Sequence, residues 1–140
     1  MKILVAVDGS TYTRHAVNYL REHMEMLGRD AKITLLTVHL PLPPHVARNL
    51  GSEAVDSYYR DECEKTLKIA RGLLDKAGIG YADAWRVGDP GDVISEFATK
   101  GKFDMVVMGS HGRGLFKTLV LGSVATKVLA GCKVPVLLVR

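Results

Sequence analysis

Apolar residues in this chain gather into five short blocks, separated by longer stretches that repeat with a helical period. Lys2–Val7 is apolar at every position after its lysine and halts at Asp8-Gly9. That pattern predicts a strand buried on both faces. Lys32–His39, rich in β-branched and aliphatic residues, and Tyr81–Val87 predict the second and third strands. Phe103–Met108 and Val134–Val139 predict the fourth and fifth. Between the first two strands, Ser10 or Thr11 is a suitable N-cap, Ala16, Leu20, Met24 and Leu27 fall near helical spacing, and Gly28 ends the helix. From Ser52 to Ala77 a long helix carries Tyr59, Cys63, Leu67, Ala70 and Leu74 along one face, with Gly78 as its stop. Asp89-Pro90-Gly91-Asp92 combines a capping Asp with Pro at the first helical position, which starts a short helix ending near Lys100. A last helix, Ser123–Ala130, places Val124, Val128 and Leu129 on one side and stops at Gly131. Leu40–Gly51 contains Pro41, Pro43 and Pro44 and reads as a loop.

Strands that alternate with helices imply a parallel sheet covered on both faces. The expected fold is therefore α/β, a five-stranded parallel open sheet in one domain over residues 1–140. No linker, repeat or low-complexity tract interrupts it. In such sheets ligands bind beyond the carboxyl ends of the strands, where strand order reverses. The loops that matter therefore begin at Asp8, His39, Gly88 and Gly109.

One of those loops has unusual chemistry. After the fourth strand the chain reads Gly109-Ser110-His111-Gly112-Arg113-Gly114 and then, further on, Gly122-Ser123. Glycines let backbone amides approach phosphate oxygens closely and permit positive φ. Ser123 opens a helix, whose first amides and dipole favour an anion. Arg113 and Lys117 add charge, and the Ser110 and Ser123 hydroxyls can donate. The stretch is best divided into a glycine turn, Gly109–Gly114, and a helix start at Gly122–Ser123, with a largely apolar Leu115–Leu121 between them. No GxxxxGK[ST] is present and no GxGxxG follows the first strand, which excludes a P-loop and a dinucleotide fingerprint.

Charge supports a small anionic ligand. The net charge is only +4, but no Asp or Glu follows Asp104, whereas Arg113, Lys117, Lys127, Lys133 and Arg140 do. A single aromatic, Phe116, lies in that stretch, too little for a groove that stacks nucleic-acid bases. No apolar run reaches the ~20 residues that span a bilayer. Cys63 and Cys132 form no CxxC and no metal-ligand ladder, and read as buried thiols of a reducing, cytoplasmic setting. The five histidines show no HxxxH, so a structural zinc site is not expected.

Taken together, these residues resemble the universal stress proteins of the UspA superfamily, in their ATP-binding subgroup. That subgroup carries a glycine, two residues, a glycine, nine residues, then a glycine followed by Ser or Thr. Here the pattern is complete as Gly109, Gly112, Gly122 and Ser123. Val5-Ala6-Val7-Asp8-Gly9-Ser10 and Val134-Pro135-Val136-Leu137-Leu138-Val139 are similar to the family's first and last strands, and the likeness runs over essentially the whole chain. It implies a Rossmann-like fold of the adenine nucleotide alpha hydrolase type. It also implies an ATP site in which Ala6, Val7 and Asp8 lie beside the adenosine and Val38 reads the adenine through its backbone. Met108 and Gly109 would flank the ribose, and Gly112, Arg113, Gly122, Ser123 and Val124 would hold the phosphates. ADP or AMP would fit the same residues, and Mg²⁺ could accompany ATP at Asp8. A homodimer through the last strand, Val134–Val139, is implied as well.

Several residues have plainer explanations. Asp8 is also a turn-forming Asp before a glycine. His111 is grouped with the nucleotide-binding residues, although a solvent-exposed loop histidine is the commoner case. Asp89 and Asp92 are explained by helix capping. Tyr81 and Trp85 share one face of the third strand and are expected to pack. With no carboxylate in the phosphate segment, the expected function is an ATP-binding regulator with little or no turnover and no assigned catalytic residue. A slow ATPase or phosphoryl-transfer protein, using His111, and a dimeric interaction domain without nucleotide are the alternatives.

Overall fold

The structure, a computed structural model, describes residues 1–114, 118 and 120–140. Lys117, named above for its charge, lies outside the described residues. Five strands form one sheet in the order β3-β2-β1-β4-β5, where β1 is Lys2–Ala6, β2 Lys32–His39, β3 Tyr81–Val87, β4 Met105–Gly109 and β5 Val136–Val139. Every neighbouring pair is parallel, with Leu4 opposite both Thr34 and Val106, and Val107 opposite Leu137. Strand order reverses between β1 and β4, the two central strands.

Alternation along the strands divides the core in two. Ile3, Val5, Ile33, Leu35 and Val107 face helices α1 (Thr11–Glu22) and α4 (Ser52–Lys76), meeting Ala16, Val17, Leu20, Leu67, Ala70 and Leu74. Leu4, Leu36, Val106 and Met108 face α5 (Pro90–Lys100) and α6 (Ser123–Gly131), meeting Ile94, Ala98, Ala125 and Val128. A strand with both faces covered must be apolar throughout, which is why β1 and β4 read as unbroken runs.

The first predicted helix is divided at His23, leaving α1 and a short α2, Met24–Leu27. The His23 ring stacks on Tyr19 at 4.1 Å, and its Nδ1 lies 2.7 Å from the Tyr19 carbonyl oxygen. That local bond competes with the helical ladder at the break. Leu40–Gly51 is not wholly a loop, because Pro44–Leu50 forms α3. Pro44 occupies its first turn, where a missing N–H costs nothing and the fixed φ favours the helix. The prolines therefore mark a helix start as well as a ladder stop. No α3 residue is buried, so there was no apolar stripe to announce it. The segment before it is tied down by the Leu42 amide, which donates to Tyr59 Oη at 2.7 Å.

Two strand boundaries also move. Lys102 adopts φ 52° and the Phe103 amide still donates to Ala98 O, so β4 begins at Met105 and runs on to Gly109. Pro135 has no amide to give, and β5 begins at Val136. Tyr81 packs on the first core while its hydroxyl donates to Asp75 at 3.0 Å. Among the described residues no helix is long and apolar enough to cross a membrane.

Arg71 of α4 holds β3 in place. Its Nε donates to Asp83 of β3 at 2.6 Å and its two terminal nitrogens reach Glu64 at 2.5 and 3.2 Å. The hydrogen bond from Arg71 keeps the Glu64 carboxyl below its ordinary value. A depressed carboxylate contributes stability that is full above its unfolded pKa and is lost as pH falls through the folded one. Arg71→Ala is thus expected to cost about 0.5–1 kcal/mol at neutral pH, because the groups are partly exposed and screened. Urea denaturation should show that difference shrinking below about pH 4.

Candidate functional site

A cavity of about 570 Å³ opens at the carboxyl ends of β1 and β4. Its apolar part is formed by Ala6, Leu36, Val38 and Met108 of the sheet with Ile94, Val124 and Ala125 of the helices. Its polar part is the turn after β4 and the start of α6. The residues that the family resemblance implies for the nucleotide, together with His111, all line it: Ala6, Val7, Asp8, Val38, Met108, Gly109, His111, Gly112, Arg113, Gly122, Ser123 and Val124. Five wall residues gave no chemical signal in the sequence, namely Thr13, Leu36, Pro90, Ile94 and Ala125. Pro90 and Ile94 sit on α5, which its packing on the sheet and against α6 brings to the site.

The two anion-binding pieces are joined to each other. The Gly122 amide donates to Ser110 O at 2.7 Å, which seats the start of α6 on the glycine turn. A Cβ on Gly122 would come within 3.0 Å of His111 Cα and 3.3 Å of Ser110 O. No side chain caps α6, and among the described residues nothing accepts from the amides of Ser123, Val124 and Ala125. Three aligned donors at a helix start favour an anion.

The glycines act through space rather than φ. None of Gly109, Gly112, Gly114 and Gly122 has positive φ, contrary to one role expected for them. A Cβ on Gly109 would lie 2.4 Å from Tyr12 Cβ, so this glycine lets α1 close on the end of β4. A Cβ on Gly112 would lie 2.9 Å from Asp8 Oδ2, whereas one on Gly114 would meet none of the described residues. Gly9 does need its conformation, at φ 76°, and the Arg113 guanidinium occupies the room a Cβ would take there. Arg113 thereby crosses from the glycine turn to the turn after β1.

Asp8 serves its turn and the cavity together. Oδ1 accepts from the Ser10 amide at 2.9 Å and from Thr13 Oγ1 at 2.8 Å. Oδ2 faces Gly112. Ser110 differs from expectation. It is buried, does not line the cavity, and its Oγ lies 2.9 Å from His111 Nδ1. Its hydroxyl is thereby committed to the turn. His111 is half-buried rather than solvent-exposed, with its ring 5.1 Å from that of Tyr12. Lys127 is also committed. It pairs with Asp89 at 3.0 Å and Asp92 at 3.2 Å, and its stem covers Gly91, locking the start of α5 to α6. The Lys127 hydrogen bond, followed by that from the Asp92 amide, holds the Asp89 carboxyl below its ordinary value. The expected capping role of Asp89 is present as well, its Oδ1 accepting from the Asp92 amide at 3.1 Å.

Val38 contributes backbone as well as a side chain. The Val7 amide donates to Leu36 O at 2.8 Å, and there β1 leaves β2. Polar groups on one strand edge recur every second residue, so the Val38 amide and carbonyl are the next pair facing β1. No strand reaches them.

The family model described as "Universal stress protein family" matches residues 1–140. The chain belongs to the universal stress protein family. Universal stress protein MJ0531 of Methanocaldococcus jannaschii is 30% identical over 145 residues, covering 99% of this chain and 81% of that protein. A universal stress protein of Thermus aquaticus, from the 3′ region of a QAH/OAS sulfhydrylase gene, is 30% identical over 139 residues, covering 99% of this chain and 97% of its own. Among solved structures, hypothetical protein MJ0577 superimposes with a TM-score of 0.81 at 25% identity, covering 99% of this chain and 94% of that one. The parallel sheet with its central reversal is therefore the universal stress protein fold, and the crevice described above is that fold's switch point.

For this universal stress protein, the spatial account of the glycines separates two positions. Gly109→Ala is expected to destabilise the protein by about 1–3 kcal/mol, because α1 must back away from β4. Gly114→Ala should stay within about 0.5 kcal/mol of the parent. Equal thermal denaturation midpoints for the two variants would refute that account.

Proposed function

We propose that this universal stress protein binds an adenine nucleotide in the β1–β4 crevice, ATP foremost, and works as a nucleotide-dependent regulator with little or no turnover. The observation that carries the reading is one cavity with two chemically distinct ends. At one end lie the apolar Leu36, Val38, Met108 and Ile94, with the Val38 amide and carbonyl available to the edge of a purine. At the other lie the glycine turn and the open amides of Ser123–Ala125, suited to phosphate oxygens. The size supports it too, since pockets for ligands of this class run from about 300 to 1,000 Å³. Universal stress proteins of the same fold have been solved with cAMP, with AMP from Arabidopsis thaliana, and with dAMP from Archaeoglobus fulgidus.

Little chemistry is available for hydrolysis. Asp8, His111 and Arg113 are the titratable described residues on the cavity wall. Asp8 Oδ1 already accepts two bonds and His111 Nδ1 faces Ser110 Oγ, which leaves Asp8 Oδ2 as the one open carboxylate oxygen among the described wall residues, with no second carboxylate to share acid–base work. The two cysteines are unpaired thiols, as a reducing cytoplasm would leave them.

A regulator must differ between its bound and free states, since a ligand shifts only what it binds differentially. The glycine turn is the natural place. Saturating ATP is expected to raise the denaturation temperature and to slow amide hydrogen exchange in Gly109–Gly114. Ser123→Pro removes one amide and one hydroxyl at a position where helices accept proline, after a Gly122 already at φ −68° and ψ 159°. It should weaken ATP about tenfold by calorimetry while leaving the unliganded midpoint nearly unchanged. No thermal shift with millimolar ATP would overturn the reading. Robust turnover lost in His111→Ala would replace it with the enzyme alternative.

The same proposal includes a homodimer. β5 ends the sheet, its four residues are all half-exposed, and it carries no charge before Arg140. An apolar edge of this kind is stabilised by pairing with a second copy about a two-fold axis. Sedimentation equilibrium should give twice the 15.3 kDa chain mass. A monomer at tens of micromolar would remove the dimer from the proposal.

A further inference from the structure

One wall residue that the sequence did not single out, Thr13, has an unusual set of partners. It is 2% exposed and belongs to the first turn of α1, where a buried hydroxyl must be matched. Its Oγ1 accepts from the Asp8 amide at 3.0 Å and donates to Asp8 Oδ1 at 2.8 Å. The hydroxyl proton is therefore committed to the carboxylate, because the amide already supplies a donor from the other side. The Ser10 amide gives Oδ1 a second bond at 2.9 Å. With Oδ1 held by two donors, the carboxylate plane is set and Oδ2 is turned to the Gly112 side of the cavity. No described residue donates to Oδ2. An oriented carboxylate oxygen with nothing donating to it selects a ligand that brings a donor. Of the parts of a nucleotide, only the sugar hydroxyls are neutral donors that can lie between the apolar end and the phosphate end.

We propose that Thr13 is a positioning residue, which locks the Asp8 carboxylate through the Asp8 amide–Thr13 hydroxyl–Asp8 Oδ1 cycle and so makes the site selective for nucleotides that carry sugar hydroxyls. This rests on the crevice being the nucleotide site. Valine has nearly the shape of threonine but can neither accept from the Asp8 amide nor donate to Oδ1. Serine can do both.

The test compares ATP with 2′,3′-dideoxyATP by calorimetry on the full chain. The parent is expected to prefer ATP by about tenfold or more, the range for a hydrogen bond to a charged group. In Thr13→Val that ratio should fall to within about threefold of unity, while Thr13→Ser keeps it. Asp8→Ala should also abolish the ratio, and adding Thr13→Val to it should change the ratio no further, as two members of one network require. If Thr13→Val does not fold, Thr13→Ala takes its place beside Thr13→Ser. A general loss of stability would lower both affinities together and leave the ratio intact. Retention of the ratio in Thr13→Val or Thr13→Ala, or its loss in Thr13→Ser, overturns the role of Thr13. A parent that binds both nucleotides equally overturns the selectivity but leaves nucleotide binding standing. A parent that binds neither removes the crevice reading itself.

Discussion

The chain leaves β1 toward one face of the sheet and leaves β4 toward the other, and the crevice exists because these two neighbours part. β1 passes into α1, which packs with α4 over Val5 and Val107. Beyond β4 the chain arrives at α6, which packs with α5 over Leu4 and Met108. Past their last shared hydrogen bonds, the strand ends present amides and carbonyls to a gap instead of to each other. Buried backbone groups need partners, so such a gap binds something polar at its walls or fills with water. The polar groups of Val38, the amides at the start of α6 and the Asp8 carboxylate all meet the cavity for this one topological reason.

Among the described residues, what lines the polar end of the cavity is mostly neutral. Lys127 lies on α6 but its charge is answered by Asp89 and Asp92, and it serves to fix α5 beside α6. Arg113 is exposed and leans on Gly9. Among the described residues, backbone dipoles of the glycine turn and the helix start are what the cavity offers an anion besides Arg113. The arrangement suits holding a nucleotide more than driving phosphoryl transfer, where charge must be met as it develops in the transition state.

The glycine turn is also a structural joint. Gly109 admits Tyr12, Gly122 admits the His111 backbone, and Ser110 and His111 are bonded to each other inside the turn. A movement of this turn would be felt by α1 through Tyr12 and by α6 through the Gly122 amide. The elements on both faces of the sheet thus meet at the place where a ligand would bind, a geometry through which occupancy can be conveyed to the surface.

Much of this was legible from the amino-acid sequence alone. Unbroken apolar runs identified the central strands β1 and β4, because a doubly covered parallel strand has no wet face to encode. Glycine spacing pointed to the turn and helix start that line the polar end of the cavity, and the family resemblance pointed to Ala6, Val38 and Met108 on its apolar wall. Local pattern was silent wherever meaning depends on what lies across space. Helix α3 carries no buried residue, so it left no periodic trace, and its prolines read as breakers until their position at a helix start was seen. Ser110 and Ser123 look alike in sequence, yet one hydroxyl is buried against His111 and only the other lines the cavity. Lys127 counts as a free charge until the fold delivers Asp89 and Asp92 to it. Thr13 is an ordinary residue in a first turn until the bend after β1 sets its hydroxyl against Asp8. The sequence determined which elements form and which chemistry they carry, because those follow from local propensity and periodicity. Only the tertiary structure decided which polar groups are already satisfied and which remain for a ligand, because satisfaction depends on partners distant along the chain.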